Sequence, residues 1–236
     1  MKGFLKQNNE PFFVSRLYTE HLSDILSLQQ LVVDQLEQKD ILQPLAEEEY
    51  AYILQGNGLM LGAFTNNQLI AFRALLFPPI DEEHLGFDIG LSKEELKDVI
   101  YQEISIVHPK ARGNGLQQIL ATFIMDELER TNKPYKYICC TVAPFNIPSL
   151  KDKFAQGMEI AALKQKYGHR LRYIFVKTRN NINRTWHEYV SVRMDDISGQ
   201  QTLLANGWRG IALEQRNHKY CIRFGRSYEE VSRSSS

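Results

Sequence analysis

The sequence predicts an α/β protein, and two observations carry that prediction. An apolar, β-branched run, Ile104-Ser105-Ile106-Val107, ends at His108-Pro109, turns through Gly113-Asn114-Gly115 and passes at once into a helical pattern. There Leu116, Ile119, Leu120, Phe123, Ile124 and Leu128 fall on one stripe of a 3.6-residue period. Strand-like runs also recur as turn-joined pairs, at 59–64 with 69–77 and at 158–166 with 170–178.

The remaining elements follow in order. Residues 11–18 predict a first strand ending at Thr19, a helix N-cap. A helix over 20–37 presents Leu22, Ile25, Leu26, Leu28, Leu31, Val32 and Leu36 as one wide apolar face. After a connection over 39–46, Glu47-Glu48-Glu49 opens a short helix, where acids suit the helix dipole. Gly56-Asn57-Gly58 turns into the first hairpin, which Pro78-Pro79 stops. An acidic loop over 80–97, with a helical turn near 93–97, leads to the fourth strand at 98–107. The glycine turn and a helix over 115–132 follow, stopped by Lys133-Pro134. A fifth strand at 136–142, a helix over 148–156 and the second hairpin come next, the latter turning at Tyr167-Gly168-His169. Asn180 to Arg184 is a polar linker, followed by strand 186–193, helix 196–206 and strands 209–215 and 219–225. The tail Ser232-Arg233-Ser234-Ser235-Ser236 is expected to be disordered, and no internal repeat is apparent. The expected organisation is a main domain over 1–178 and a small α+β extension over 179–236.

Composition is ordinary for a globular chain of 236 residues, at 43% apolar and 24% charged. No apolar run approaches the roughly 18 residues of a membrane span, and the N-terminus lacks a signal-peptide core, so no membrane role is expected. Cys139, Cys140 and Cys221 are odd in number, and the first two lie in an apolar strand; they predict buried, reduced thiols in a cytoplasmic protein. The histidines show no metal-ligand spacing, so no metal is expected. A net charge of zero conceals an asymmetry: residues 34–103 hold 14 acids and 4 bases, and 104–236 hold 11 acids and 21 bases. Two charged ligands of opposite sign would account for it, an anionic one on the basic half and a cationic one on the acidic half.

The glycine turn discriminates among anion-binding loops. A strand running through it into a helix N-terminus directs backbone N–H groups and the helix dipole at a ligand. An NTP-binding loop would need Gly-Lys-Ser/Thr, which is absent. A dinucleotide fold would need a third glycine at Gln118 and an acid after the next strand, Tyr137 to Val142, which ends without one. Arg112-Gly113-Asn114-Gly115-Leu116-Gln117 instead resembles the Q/R-x-x-G-x-G/A signature of the GNAT (Gcn5-related) N-acetyltransferases, with Gln117 in place of the last Gly/Ala. A second stretch, Asn146-Ile147-Pro148-Ser149 opening a helix that leads to Gly157-Met158, resembles that family's next landmark, Met158 standing where an aromatic is usual. The resemblance covers about residues 10–178.

The resemblance implies a GNAT-like fold, a mixed and mostly antiparallel central sheet flanked by helices. It implies an enzyme that moves an acetyl group from acetyl-CoA to a primary amine, on a small molecule or a peptide, by direct attack on the thioester. The turn Arg112, Gly113, Asn114, Gly115, Leu116 and Gln117, with Lys110 nearby, would hold the pyrophosphate. The strand segment Ile104, Ile106 and Val107 would bind the pantetheine arm, and Asn146 and Ser149 would help position the cofactor. Glu103 is the candidate base, expected by strand alternation to share a face with Tyr101 and Ser105; the alternative is an edge-of-sheet or substrate-binding carboxylate. The family's Tyr acid, seven residues after the Asn, is Lys153 here; Tyr167 is a weak substitute, and His108 is expected to be structural. The basic CoA site and acidic half leave a cationic amine as the suited acceptor. No nucleic-acid partner is expected, and a homodimer is left open. The alternative function is a catalytically weak CoA-binding or interaction module.

Overall fold

The computed structural model describes residues 2–38, 41–179 and 184–227. The polar linker, except Arg184, and the serine-rich tail lie outside them. The chain divides into two compact units, Met1–Phe87 with Ser92–Cys140, and Asp88–Leu91 with Thr141–Ser236. The C-terminal segment lies in the same unit as the second landmark and its hairpin.

The first unit is built on strands β1 (Lys2–Phe4), β2 (Pro11–Arg16), β3 (Gly58–Thr65), β4 (Gln68–Leu76), β5 (Val99–Val107) and β6 (Tyr137–Val142), side by side in that order. Neighbours pair antiparallel except β5 with β6, which is parallel. β1 is too short for a periodic signal and is held by pairing Lys2–Phe4 with Pro11–Phe13. Helix α1 (Leu22–Asp34) follows a 3-10 turn over Thr19–His21, so Thr19 is not its cap. His21 closes that turn, its Nδ1 accepting from the Tyr18 N–H at 3.1 Å. α2 (Glu47–Tyr52) is tied to α1 by Gln29, whose side chain exchanges two hydrogen bonds with the Leu45 backbone and accepts from the Tyr50 hydroxyl at 2.6 Å. One apolar cluster joins Ile25, Leu28 and Val32 of α1 to Tyr50 and Ile53, and to Met60, Phe72, Ala74, Ile104 and Ile106 of β3, β4 and β5. The short α3 (Leu85–Asp88) and a 3-10 turn over Lys93–Asp98 lie in the acidic segment, and α4 (Leu116–Arg130) follows the glycine turn.

In the second unit the strands run in the order β8 (Arg170–Thr178), β7 (Glu159–Lys166), β10 (Arg209–Arg216), β11 (Lys219–Arg226) and β9 (Glu188–Arg193). Two helices accompany them, α5 (Ile147–Ala155) and α6 (Ile197–Ala205). This unit corrects the expectation that the chain has no internal repeat. α6 starts and stops fifty residues after α5, and β10 starts and stops fifty residues after β7. Identities at that spacing include Ile147 and Ile197, Ala155 and Ala205, Gly157 and Gly207, Ala162 and Ala212, Leu163 and Leu213, and Gln165 and Gln215. Both helices open on a side-chain cap: Asn146 accepts from the Ser149 N–H at 3.2 Å and Asp196 from the Gly199 N–H at 2.9 Å. Both end at a glycine of positive φ, Gly157 and Gly207, where an L side chain would be strained. The order β6-α5-β7-β8 is thus repeated as β9-α6-β10-β11. The copies meet where β7 pairs antiparallel with β10 through Ile160 and Gly210, themselves equivalent positions, which makes a local two-fold between the hairpins.

Candidate active site

The site begins where β5 departs from regular pairing. Its register with β4 runs Arg73 with Ser105 and Ala74 with Ile104, then jumps to Leu75 with Gln102. Glu103 is the extra residue of a β-bulge, which disrupts the ladder locally and breaks the alternation of side chains. Ile104 and Ile106 face the cluster under α1 and α2. Ser105 shares the face of its partner Arg73, whose guanidinium donates to the Gln102 Oε1 at 2.7 Å and to the Gln117 carbonyl of α4 at 3.2 Å. The expectation that Glu103 shares a face with Ser105 is therefore corrected. The bulge turns Glu103 towards α2, as its coupling to Glu49 and Tyr50 records, while Tyr101 stays on that side opposite Leu76.

Glu103 is half-buried, and its carboxyl is pushed up to about 7, first by loss of hydration and then by the Glu49 carboxylate. The Tyr50 hydroxyl is raised by burial, then by Glu49 and Glu103. Glu49 has a second task, accepting from the Ala46 N–H at 2.7 Å at the start of α2. Several other acids of the acidic half are also engaged: Asp98 with Lys136 at 2.8 Å, Glu95 with the Ser92 backbone, and Asp88 with Lys164 and Lys166. Glu47 and Glu48 are exposed.

β5 and β6 are paired only over Val99–Tyr101 with Tyr137–Cys139. Among the described residues, the β5 edge that carries Glu103, Ile104, Ile106 and Val107 beyond Tyr101 has no register with β6. A parallel strand that leaves its neighbour offers unpaired backbone donors and acceptors along one side.

At the end of β5, His108 Nδ1 accepts from the Lys110 N–H at 3.1 Å and caps the 3-10 turn Pro109–Ala111, the structural role expected of it. Its imidazole is held below the usual histidine range by burial, then by Lys110 and Arg112. The loop then passes through Gly113 (φ 79°) and Gly115 (φ 76°) into α4, whose N-terminus has no side-chain cap. Asn114 is only 3% exposed and points inward, its Nδ2 donating to the Ala111 carbonyl at 2.9 Å. Its side chain shapes the loop, leaving its backbone to face a ligand. Leu116 is buried in the core, and Arg112 and Lys110 are exposed. A Cβ built on Gly115 would meet nothing closer than the Lys6 Nζ at 3.8 Å, so the loop keeps an open approach there. These residues fit the diphosphate of an acyl-CoA: backbone N–H groups, a helix N-terminus, cations and no side chain in the way. Gln7 and Arg73, which the loop motif does not include, also touch this region, Gln7 through the Arg112 carbonyl and Arg73 through that of Gln117.

Asn146 and Ser149 lie in the second unit and pair with one another at the start of α5. Lys153 is buried on the same helix, its Nζ 3.2 Å from the Asp152 carboxylate. The Tyr167 hydroxyl is 3.2 Å from the Thr141 Oγ1. None of the three cysteines is in a disulfide, and all are buried. Among the described residues no cluster of His, Cys, Asp and Glu could hold a metal, and no helix is long and apolar enough to cross a membrane.

The fold that carries this strand, loop and helix is that of solved acetyltransferases, one of them described as of the GNAT family, from Streptococcus pneumoniae. The sequence matches no family model and no curated protein; the likeness is in three dimensions. Arabidopsis thaliana NAA60, solved in complex with acetyl-CoA, superimposes with a TM-score of 0.56 at 14% identity, over 72% of this chain and 99% of that one. The putative acetyltransferase yncA of Salmonella typhimurium, solved with its cofactor acetyl-CoA, gives 0.53 at 13% identity over 73% and 96%. The ribosomal-protein-S18-alanine N-acetyltransferase of Escherichia coli gives 0.53 at 16% identity over 75% and 99%. The fold is that of this family, a mixed and mostly antiparallel sheet flanked by helices.

Proposed function

We propose that this protein is an N-acyltransferase that moves an acetyl group from acetyl-CoA to a primary amine. The observation that carries the reading is β5 itself. One strand brings together a bulged carboxylate titrating near 7, an edge without a register partner, and a glycine loop that opens α4. In this reading the loop 112–117 binds the diphosphate, the β5 edge from Ile104 to Val107 binds the pantetheine arm through its backbone, and Asn146 and Ser149 assist. Acetyl-CoA complexes among the structural neighbours support that choice of acyl donor. A backbone N–H of the same edge would polarise the thioester carbonyl.

The chemistry then needs a neutral amine. Glu103 takes a proton from the bound ammonium, directly or through a water, which frees the nitrogen lone pair. Nitrogen attacks the thioester carbon, the C–N bond forms, the C–S bond breaks with its electron pair leaving on sulfur, and the second proton of the nitrogen passes to that thiolate or to water. A thiolate whose conjugate acid has a pKa of about 8.5 departs without a strong acid, so the absence of the family's tyrosine is compatible with turnover. A second reading, CoA binding without turnover, is favoured by Lys153, which stands at that tyrosine's position but is buried and ion-paired with Asp152.

Calorimetric titration with acetyl-CoA, followed by thiol release against a panel of amines, separates the readings. We expect saturable binding and amine-dependent release. Binding without release to any amine would favour the second reading, and no binding would remove both.

A further inference from the structure

We propose that the N-terminal turn is part of the cofactor site, with Lys6 a ligand of the diphosphate and Gln7 the residue that holds the glycine loop in shape. The inference rests on the acyl-CoA reading above and extends it to a segment outside the loop motif.

The turn joins β1 to β2 and is anchored by buried Leu5, which exchanges backbone hydrogen bonds with Asn9 and Glu10. It presents Gln7 to the loop at three points. The Gln7 N–H donates to the Asn114 Oδ1 at 3.1 Å, its Nε2 donates to the Arg112 carbonyl at 3.0 Å, and its Oε1 accepts from the Asn114 Nδ2 at 3.3 Å. More than a hundred residues separate these partners in sequence.

The two glycines consequently have different neighbours. A Cβ on Gly113 would sit 2.8 Å from the Gln7 Nε2, so that side of the loop is already filled by protein. A Cβ on Gly115 would find open space bounded by the Lys6 ammonium at 3.8 Å. A phosphate approaching on the Gly115 side meets the start of α4 and Lys6 together. Lys6 then joins Lys110 and Arg112 as a third cation at the site, and a charge-assisted bond to phosphate is stronger than a neutral one.

Both residues are exposed, so substituting them spares the core. We expect Lys6→Met to raise the Kd for acetyl-CoA roughly tenfold and to weaken its salt dependence. The rise should persist with acetyl-3′-dephospho-CoA, which keeps the diphosphate, and vanish with S-acetyl-pantetheine as donor, which has none. Gln7→Ala should raise the KM for acetyl-CoA with little change in kcat or melting temperature. Wild-type binding that Lys6→Met leaves within twofold overturns this inference alone, as does a rise confined to donors bearing the 3′-phosphate. Failure of the wild type to bind acetyl-CoA would instead overturn the acyl-CoA reading.

Discussion

Glu103 is held in a place that suits its protonated form better than its charged one. Its carboxyl, raised from 4.5 to about 7, favours the fold most below pH 4.5, and that contribution is lost as pH rises through 7. Above pH 8 the charged carboxylate costs on the order of 3 kcal/mol. Glu103→Gln should therefore melt higher than the wild type at pH 8 and no higher at pH 4.5, which thermal scans at both pH values would check. The same substitution removes the base. We expect kcat at pH 7 lower by roughly 10²-fold, with acetyl-CoA affinity nearly unchanged and the deficit shrinking as pH rises and free amine comes from solution. A kcat within twofold would exclude Glu103 as the base. Glu49→Gln tests the environment from the other side: without that carboxylate the lower apparent pKa in the pH–rate profile should fall. The acceptor is tested at the exposed acids, where Glu47→Gln with Glu48→Gln should raise the KM for a cationic amine and spare acetyl-CoA.

The elements around this residue divide by how locally they are determined. The strand-to-helix passage at β5 and α4 is legible in the sequence because its signals are local: β-branched residues, a proline, two glycines and a helical stripe. Gly115→Glu should accordingly abolish acetyl-CoA binding while leaving circular dichroism little changed, since the added side chain enters the open approach at a positive φ. Unchanged calorimetric affinity would count against the loop as the diphosphate site. The bulge at Glu103 is not legible, because a bulge is a property of pairing and β5 taken alone reads as regular alternation. Strand β1 and the Gln7 contacts are hidden for the same reason, as their partners lie elsewhere in the chain. Arg73 is harder still, an arginine in an apolar strand that is 1% exposed and tied to Gln102 and Gln117.

At the scale of the molecule, the repeat was written in the sequence but masked by what changed between its copies. Leu150 of α5 corresponds to Gln200 of α6, and buried Lys153 to Leu203, so the apolar stripes of the two helices do not match. Gln200 is fully buried because it accepts from the Tyr173 hydroxyl at 2.7 Å and donates to the Arg193 and Met194 carbonyls. The second copy places β10 beside β7, and Gly210 makes the approach possible: a Cβ there would lie 2.9 Å from the Ile160 Cβ and Cδ1. Gly210→Val should cost about 1–3 kcal/mol by overpacking, read as a shift of the denaturation midpoint. Removing the second copy has a different consequence. A chain ending at residue 178 would leave the β7 edge at Ile160 without β10, and an uncovered strand edge templates pairing with another chain. We expect that truncated chain to show a larger mass by light scattering than the full chain at equal concentration, with its far-ultraviolet spectrum still that of a folded protein. A truncated chain that stays folded and keeps the full chain's oligomeric state would show that β10 is not needed to cover that edge.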